Sequence, residues 1–545
     1  MSFTLLVVAS IVILPFLTYY TTSTLFIRRS NSKLTGKEPP TIPYFVPGLF
    51  SAAAFAQLGA RRYFAELIKD YGAFAPFRVR AGLRSYVVLR DPTHMRRVLE
   101  AKDHLTTRAA RVEMSDKLFG SPDADSHSHK SEARNHEEAK ESLPNDGCFH
   151  ISDAALTSSI DIYISILSAN MHDKMFQYDT WTRIEDLWSF FQLVIVRCTI
   201  QTLFGSVLLK QYPRMVRDYI DFNAATEGFV SGMPRVMVSS AAKPRDRLLE
   251  GMKNWVPMGR GESDTDETEQ GRESATVYPT WDEKTGLLVV REHINQCHSI
   301  SKRKYYMLKG TAAEVLGITH ATSTELLSST FWTTIETLRK SHLTRNMTAT
   351  IAQHFSPIIH KYDVLGLVQD PGVRSLQTEV RRLRTAACVM RTNETDGFPL
   401  DKQWSLPKGA TVAMFSHDIA LNTDVWKKAQ PRALERPLEE FWAERFTLPE
   451  QSRNKRPAGV EETNESDAGE FGDLIMTLTA CDQFPGSRFI SAMQTATLAV
   501  IFAEFEIQLS DAEEVDAVLP PLRAFAYGTV KPLDKIAVRV RKRRT

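Results

Sequence analysis

The run from Phe3 to Ile27 carries no charged residue, and Arg28, Arg29, Lys33 and Lys37 come after it. A membrane-crossing helix needs roughly 20 predominantly apolar residues, and this run reaches that length by including Thr21 to Thr24. A secretory signal places basic residues before its apolar stretch and a small-residue cleavage site behind it. Here the charges come after, an asymmetry that holds the body of the chain on the cytoplasmic side. The expectation is a single-pass anchor over residues 1–28 in the endoplasmic reticulum membrane. Prolines at 39, 40, 43 and 47 make residues 29–50 a stiff, basic tether, because each fixes its own φ and extends its predecessor. Residues 51–545 are expected to form one large body.

The charge balance limits what that body does. The 67 Lys+Arg and 65 Asp+Glu leave a formal charge of 67 − 65 = +2, so no nucleic-acid binding through bulk electrostatics is expected. Hydrophobic residues at 43% and charged residues at 24% are ordinary for a chain with a large core. Five scattered cysteines, Cys148, Cys198, Cys297, Cys388 and Cys481, are too few for a disulfide scaffold. No C-x-x-C pair occurs, so a structural zinc site is not expected either.

Periodicity gives a mostly helical body with a small β portion. Helices are expected over Tyr63 to Tyr71, after Asp91-Pro92, and over Glu185 to Phe204. Others are expected over Pro213 to Glu227, Leu308 to Leu338 and Phe489 to Glu504. Phe77 to Arg80 and Tyr86 to Leu89 flank Gly82 as a hairpin would. Val538 to Arg544 reads as an edge strand with a basic tail. Polar stretches at about 121–145, 259–274 and 451–473 read as surface loops. Ser126-His127-Ser128-His129 lies in the first of them and reads as a solvated run rather than a metal site.

Glu379 and Arg382 stand three residues apart on a helical stretch and so share a face. Alone, such a pair is commonly a solvated surface ion pair. It gains weight from the order of the segments C-terminal to it: Trp404 to Gly409, an extended Ala410 to Phe415, His417-Asp418, Trp426, and Phe441 to Phe446. On these residues the chain resembles the cytochrome P450 superfamily, particularly fungal membrane-anchored members related to the sterol-hydroxylase and prostacyclin-synthase branch. The resemblance implies the P450 fold with an N-terminal membrane helix. It also implies a buried structural network of Glu379, Arg382 and Arg445. Gly317 to Trp332 looks like the long helix that crosses over the haem, and Arg391 falls where the family often contacts a haem propionate.

The departure from the family matters more than the match. The family's ligand loop reads roughly F-x-x-G-x-R-x-C-P-G. Anchored on Pro485-Gly486, this chain places Phe484 where the thiolate belongs. Thr477 and Ala480 stand for the loop's aromatic and first glycine, Asp482 for its basic residue, and of the loop's glycines only the second, Gly486, is kept. The thiolate pushes electron density to iron and favours O–O cleavage; a phenyl ring has no lone pair to give. Cys481 lies three residues upstream, about 10 Å of extended chain away, and its use requires a rebuilt loop. A negative charge at Asp482 would repel propionates, although it also reads as a solvated loop carboxylate.

On the central helix, His320, Thr322, Ser323, Thr324 and Glu325 form a polar group among Leu316, Ile318, Leu326 and Leu327. In the dull alternative, Ser and Thr bond back to helix carbonyls while Glu325 finds a basic partner. The functional one has His320, Thr322, Ser323 and Glu325 polarise a carbonyl or move a proton against an apolar pocket. The resulting expectation is a P450-like enzyme of fungal terpenoid or polyketide metabolism that needs no cofactor. It would close a ring in a hydrophobic small molecule, for instance by a Diels–Alder reaction, which gains most from held geometry. The alternatives are a haem monooxygenase with a displaced ligand, served by a reductase, and a non-catalytic binding protein. Contact with membrane lipid is expected in all three.

Overall fold

A computed structural model of the chain describes residues 2–71, 74–81, 84–120, 151–172, 175–226, 229, 239–259, 280–300, 304–447, 468–480, 484–524 and 527–544. Two compact units divide it, each described by itself.

The first unit comprises Met1–Arg111, Arg381–Thr479 and Pro521–Gly528. It begins with one continuous helix, Ser2–Asn31, that includes Pro15 and has Arg28 and Arg29 in its last turn. The hairpin expected on either side of Gly82 is present. Phe77–Ala81 pairs antiparallel with Arg84–Leu89, with Phe77 opposite Val88 and Val79 opposite Tyr86; Gly82 itself lies outside the described residues. Thr411–Phe415 adds parallel to Arg84–Leu89, then Cys388–Asn393 adds antiparallel, and Leu105–Thr106 closes a five-stranded sheet. Alternate side chains leave opposite faces of a strand, so Phe77, Val79 and Val88 enter a core with Ala413, Phe415 and Ile42. Helix Ala60–Asp70 covers that core with Tyr63, Phe64 and Leu67. Helix Pro92–Glu100 starts where Asp91-Pro92 predicts. The Asp91 carboxylate accepts the Thr93 N–H, and Met95, Val98 and Leu99 are buried.

The second unit comprises Val112–Val380, Ala480–Pro520 and Thr529–Thr545 and is largely helical. Its axis is the helix Lys304–Leu338, 35 residues long, which at 1.5 Å per residue spans about 52 Å. Helix Ser487–Glu504 packs along it and is buried over nearly its whole length. A helix so largely apolar belongs in a core, and several of its polar groups find partners there, although the Gln494 Oε1 finds none among the described residues. Gln494 donates to the Thr333 hydroxyl at 3.1 Å, and Tyr163 and Thr497 share a bond of 2.8 Å. Leu187–Phe204 is apolar and long enough to cross a membrane, yet more than half of it is buried in the protein.

Two glycines allow a tight junction in this unit. A Cβ on Gly205 (φ 83°) would lie 2.3 Å from the Glu283 carbonyl oxygen, and one on Gly286 (φ 73°) 2.2 Å from that of Leu203. Only residues without a Cβ let the hairpin Trp281–Leu287 meet the end of the helix Leu187–Phe204 so closely.

Several details differ from expectation. The C-terminal strand Val538–Lys542 is not an edge strand; it lies between Phe505–Leu509 and Thr182–Ile184. Its Val538 and Val540 are buried, while Arg541 bonds Glu506 at 2.8 Å and covers the Trp181 ring. The helix expected from Pro213 begins at Met215, so the proline precedes the first turn. Gly259 still belongs to helix Ser239–Gly259, and residues 468–473 begin helix Ala468–Thr479 rather than ending a loop. The rest of those three polar stretches lies outside the described residues.

Candidate functional site

The sequence-predicted residues fall into three places. In the first unit, Trp426 on helix Thr423–Ala429 has two fully buried guanidinium groups over its ring, Arg382 at 5.5 Å and Arg445 at 5.8 Å. Arg382 also donates to the Ala420 carbonyl at 2.9 Å. Arg445 donates Nη2 to the carbonyls of Pro437 and Glu440, each at 3.0 Å, and Nη1 to that of Arg436 at 3.3 Å. It bonds the Ala433 carbonyl as well. Residues 431–435 form only a short 3-10 helix and the Glu440 N–H reaches the Pro437 carbonyl at 3.1 Å, and buried carbonyls need partners. The rigid fork of donors on arginine supplies them. Phe446 and Phe471 pack against the same indole at 5.9 and 4.9 Å. Glu379 belongs to the second unit and is completely buried on helix Pro371–Arg384, so the dull reading of a solvated pair does not describe it. Arg391 is buried in strand Cys388–Asn393, opposite Val412.

The second place is the central helix. His320 and Thr324, one turn apart, meet Tyr219 of helix Met215–Ala224. The phenol oxygen stands 3.5 Å from His320 Nδ1 and 3.4 Å from Thr324 Oγ1, and these two are 3.5 Å apart. The rings of Phe119, Tyr219 and Phe222 surround the imidazole at 5.7, 6.3 and 6.0 Å. That surround withholds solvent from a charged ring and pushes His320 down to about 4. His320 is therefore neutral at pH 7, able to give or take a hydrogen bond but not to act there as a cationic acid.

Back-bonding accounts for much of this helix's hydroxyl content. Thr319, Ser329, Thr333 and Thr334 each donate to the carbonyl four residues earlier, at 2.7 to 2.9 Å. Thr322 and Ser323 do not fit that pattern. Both are buried, and neither hydroxyl makes a hydrogen bond among the described residues. Burial raises the Tyr219 phenol, and the nearby Thr324 and Ser323 hydroxyls offset only part of that rise. At 100° per residue, Thr322 lies about 200° around the helix from His320, whereas Ser323 and Thr324 flank it. The four predicted catalytic residues thus divide between two faces: His320 and Ser323 share the face that meets Tyr219, while Thr322 and Glu325, three apart, share another. Glu325 is half-buried.

The third place is the degenerate ligand loop. Helix Ala468–Thr479 carries Thr477, whose hydroxyl returns to the Asp473 carbonyl at 2.8 Å. The segment that the resemblance sets against the family's loop is helix as far as Thr479. Cys481 and Asp482 lie outside the described residues. Gly486 has φ 89° and leads into helix Ser487–Glu504. A Cβ there would meet nothing within 4 Å, so the glycine serves the backbone angle rather than space. Phe484 is buried, and its ring stacks on the His293 imidazole, with centroids 4.1 Å apart and planes 9° from parallel. A ring so placed offers no donor to a metal, and residue 484 does not fit a haem-thiolate centre.

Tyr219, Phe119 and His293 were not among the sequence-predicted residues. Tyr219 and Phe222 lie on an apolar stripe that reads as core. His293 and Cys297 do carry a signal, i,i+4 spacing on one helix.

No known protein-family profile matches the chain. Two curated proteins are similar to it. The cytochrome P450 monooxygenase fsoE of Humicola fuscoatra is 25% identical over 533 residues, covering 93% of this chain and 88% of that protein. The cytochrome P450 monooxygenase efuG of Hormonema carpetanum is 24% identical over 386 residues, 67% of this chain and 65% of that protein. With the mostly helical fold, these similarities support the cytochrome P450 superfamily. They do not speak to its branches or to the cysteine.

Proposed function

We propose that this chain is a P450-like fungal enzyme that works without haem-thiolate chemistry and closes a ring within a hydrophobic terpenoid or polyketide intermediate. The observation that carries this reading is Phe484, buried and stacked on His293 at the position where the resemblance requires a cysteine. The arginines on Trp426 keep the scaffold's internal network, as expected of a folded protein put to another use. On the central helix, neutral His320 with Tyr219, Ser323 and Thr324 offers hydrogen bonds and no strong acid. Such a group polarises a carbonyl without protonating it, which suits an activated intramolecular addition. Holding two ends of one molecule at reacting distance supplies most of the remaining acceleration.

A second reading is a haem monooxygenase. It is favoured by the printed names of both similar proteins and would draw its ligand from Cys481 and its electrons from a reductase. In either case residues 1–28 act as a membrane anchor with the body in the cytoplasm at the endoplasmic reticulum. Supporting this, Ile13, Leu14, Phe16 and Leu17 of the first helix point outward with more than half of their surface exposed.

The deciding experiment incubates purified protein with linear polyene and terpenoid precursors, under argon and without a reductant. The expected product is a cyclic isomer of unchanged mass, formed faster than in a protein-free control. A product that appears only with oxygen and reductase, and carries an added oxygen atom, overturns the proposal in favour of the second reading. No turnover of any precursor under either condition leaves the binding protein as the better description.

A further inference from the structure

Helix Leu288–Ile300 carries His293 and Cys297 one turn apart, so both side chains leave the same face. The central helix packs against it and brings up Glu314. His293 Nε2 lies 3.1 Å from Glu314 Oε1 and 3.5 Å from Cys297 Sγ. All three donor atoms fall within 4.8 Å of one another. A hydrogen-bonded trio would account for two of these distances. So would a metal: tetrahedral zinc, with bonds of about 2.0–2.1 Å to nitrogen, 2.3 Å to sulfur and 2.0–2.2 Å to oxygen, sets N···O and N···S edges of about 3.4 and 3.6 Å. The atoms already stand within a few tenths of an ångström of both edges.

We propose that His293, Cys297 and Glu314 bind one zinc ion. The set offers one nitrogen, one sulfur and one oxygen, a mixture that suits a borderline-soft first-row cation and not calcium or magnesium. Charge agrees, since a thiolate and a carboxylate together cancel the double positive charge. On binding, the Cys297 thiol gives its proton to solvent and its sulfur pair to the metal. Orientation is already set, because the Phe484 ring lies flat on the imidazole and fixes its plane. Glu314 keeps 34% of its side-chain surface exposed, which leaves room for water in a fourth position. The absence of a C-x-x-C pair excludes only the commonest zinc pattern; here the ligands come from two helices. The ion ties those helices together beside the Phe484 loop. Nothing in this assignment depends on the cyclase reading.

The test uses the full-length chain without an affinity tag, its thiols reduced and its metals removed by a chelator, then titrated with zinc and separately with cobalt(II). The expected result is one zinc per chain, and a cobalt adduct with a tetrahedral visible spectrum and a thiolate charge-transfer band. Cys297→Ser removes that band and weakens zinc by more than about tenfold. Glu314→Gln, at a partly exposed position, keeps the band and weakens zinc, which holds the test open even if the cysteine variant misfolds. His127→Ala with His129→Ala leaves both readouts unchanged. Substoichiometric zinc on the folded, reduced protein overturns the proposal. So does a charge-transfer band that survives in folded Cys297→Ser.

Discussion

Arg445 is held by several partners at once. Its guanidinium serves the carbonyls of Ala433, Arg436, Pro437 and Glu440 while lying over Trp426. Lysine keeps the charge but concentrates its donors at one point and cannot span four carbonyls. Arg445→Lys is therefore expected to lower unfolding free energy by about 3 kcal/mol or more, the consequence of buried groups left unpaired. Urea denaturation reads this directly, and a loss below about 1 kcal/mol would show that the carbonyls find other partners. His320 makes the second prediction at this scale. Its folded value of about 4 lies below the ordinary 6.5, so between these pH values the unfolded chain holds the extra proton. Stability then rises with pH from about 4 to about 6.5 and is flat above. His320→Gln removes this part of the slope, while His417, also pushed down to about 4 by burial, keeps its own. Superimposable pH profiles for the two proteins would show that the aromatic surround does not exclude the charge.

At the scale of elements, much was legible. The hairpin beside Phe77, the helix capped by Asp91, and the long apolar helices all arise from local pattern and turn chemistry. Glu379, Arg382 and Arg445 could be chosen from sequence because their order and spacing resemble a family's. Their burial could not be read, since an E-x-x-R pair looks the same on a surface. Tyr219 and Phe119 escaped because contacts between distant segments leave no periodic trace. The C-terminal strand was misplaced for the same reason: alternation shows that Val538–Lys542 is a strand but not how many neighbours it has. The junction of Gly205 and Gly286 is likewise invisible without coordinates, and it makes a graded prediction. Gly286→Ala sets a Cβ against the Leu203 carbonyl at positive φ, whereas Gly409 (φ 76°) has nothing within 4 Å. Gly409→Ala is expected to cost about 1–2 kcal/mol from the backbone angle alone, and Gly286→Ala clearly more. Equal melting temperatures for the two variants would mean that the junction gives way freely.

For the whole molecule, the question is whether a P450-like body with Phe484 at the position the resemblance gives to a cysteine works without haem. In the N-terminal helix Ile13, Leu14, Phe16 and Leu17 are more than half exposed and Arg28 and Arg29 close its last turn, while Tyr19 stacks on Phe45 and Phe26 packs on Tyr71. Removing residues 2–28 should shift the protein from the membrane pellet to the soluble fraction with its helical circular dichroism per residue nearly unchanged. Truncated protein that still sediments with membranes would place the anchoring elsewhere. The body that remains holds Arg382 and Arg445 over Trp426 and Phe484 flat on His293. The measurement that bears most directly on this combination is the absorption spectrum of purified protein expressed with excess haem, recorded oxidised and then reduced under carbon monoxide. A protein with Phe484 in the ligand position should show no stoichiometric Soret band. Phe484→Cys alone should not create one, because Ala480 and Asp482 also replace residues of the family's loop. A stoichiometric band with the thiolate-type shift on carbon monoxide binding would contradict the haem-independent reading outright.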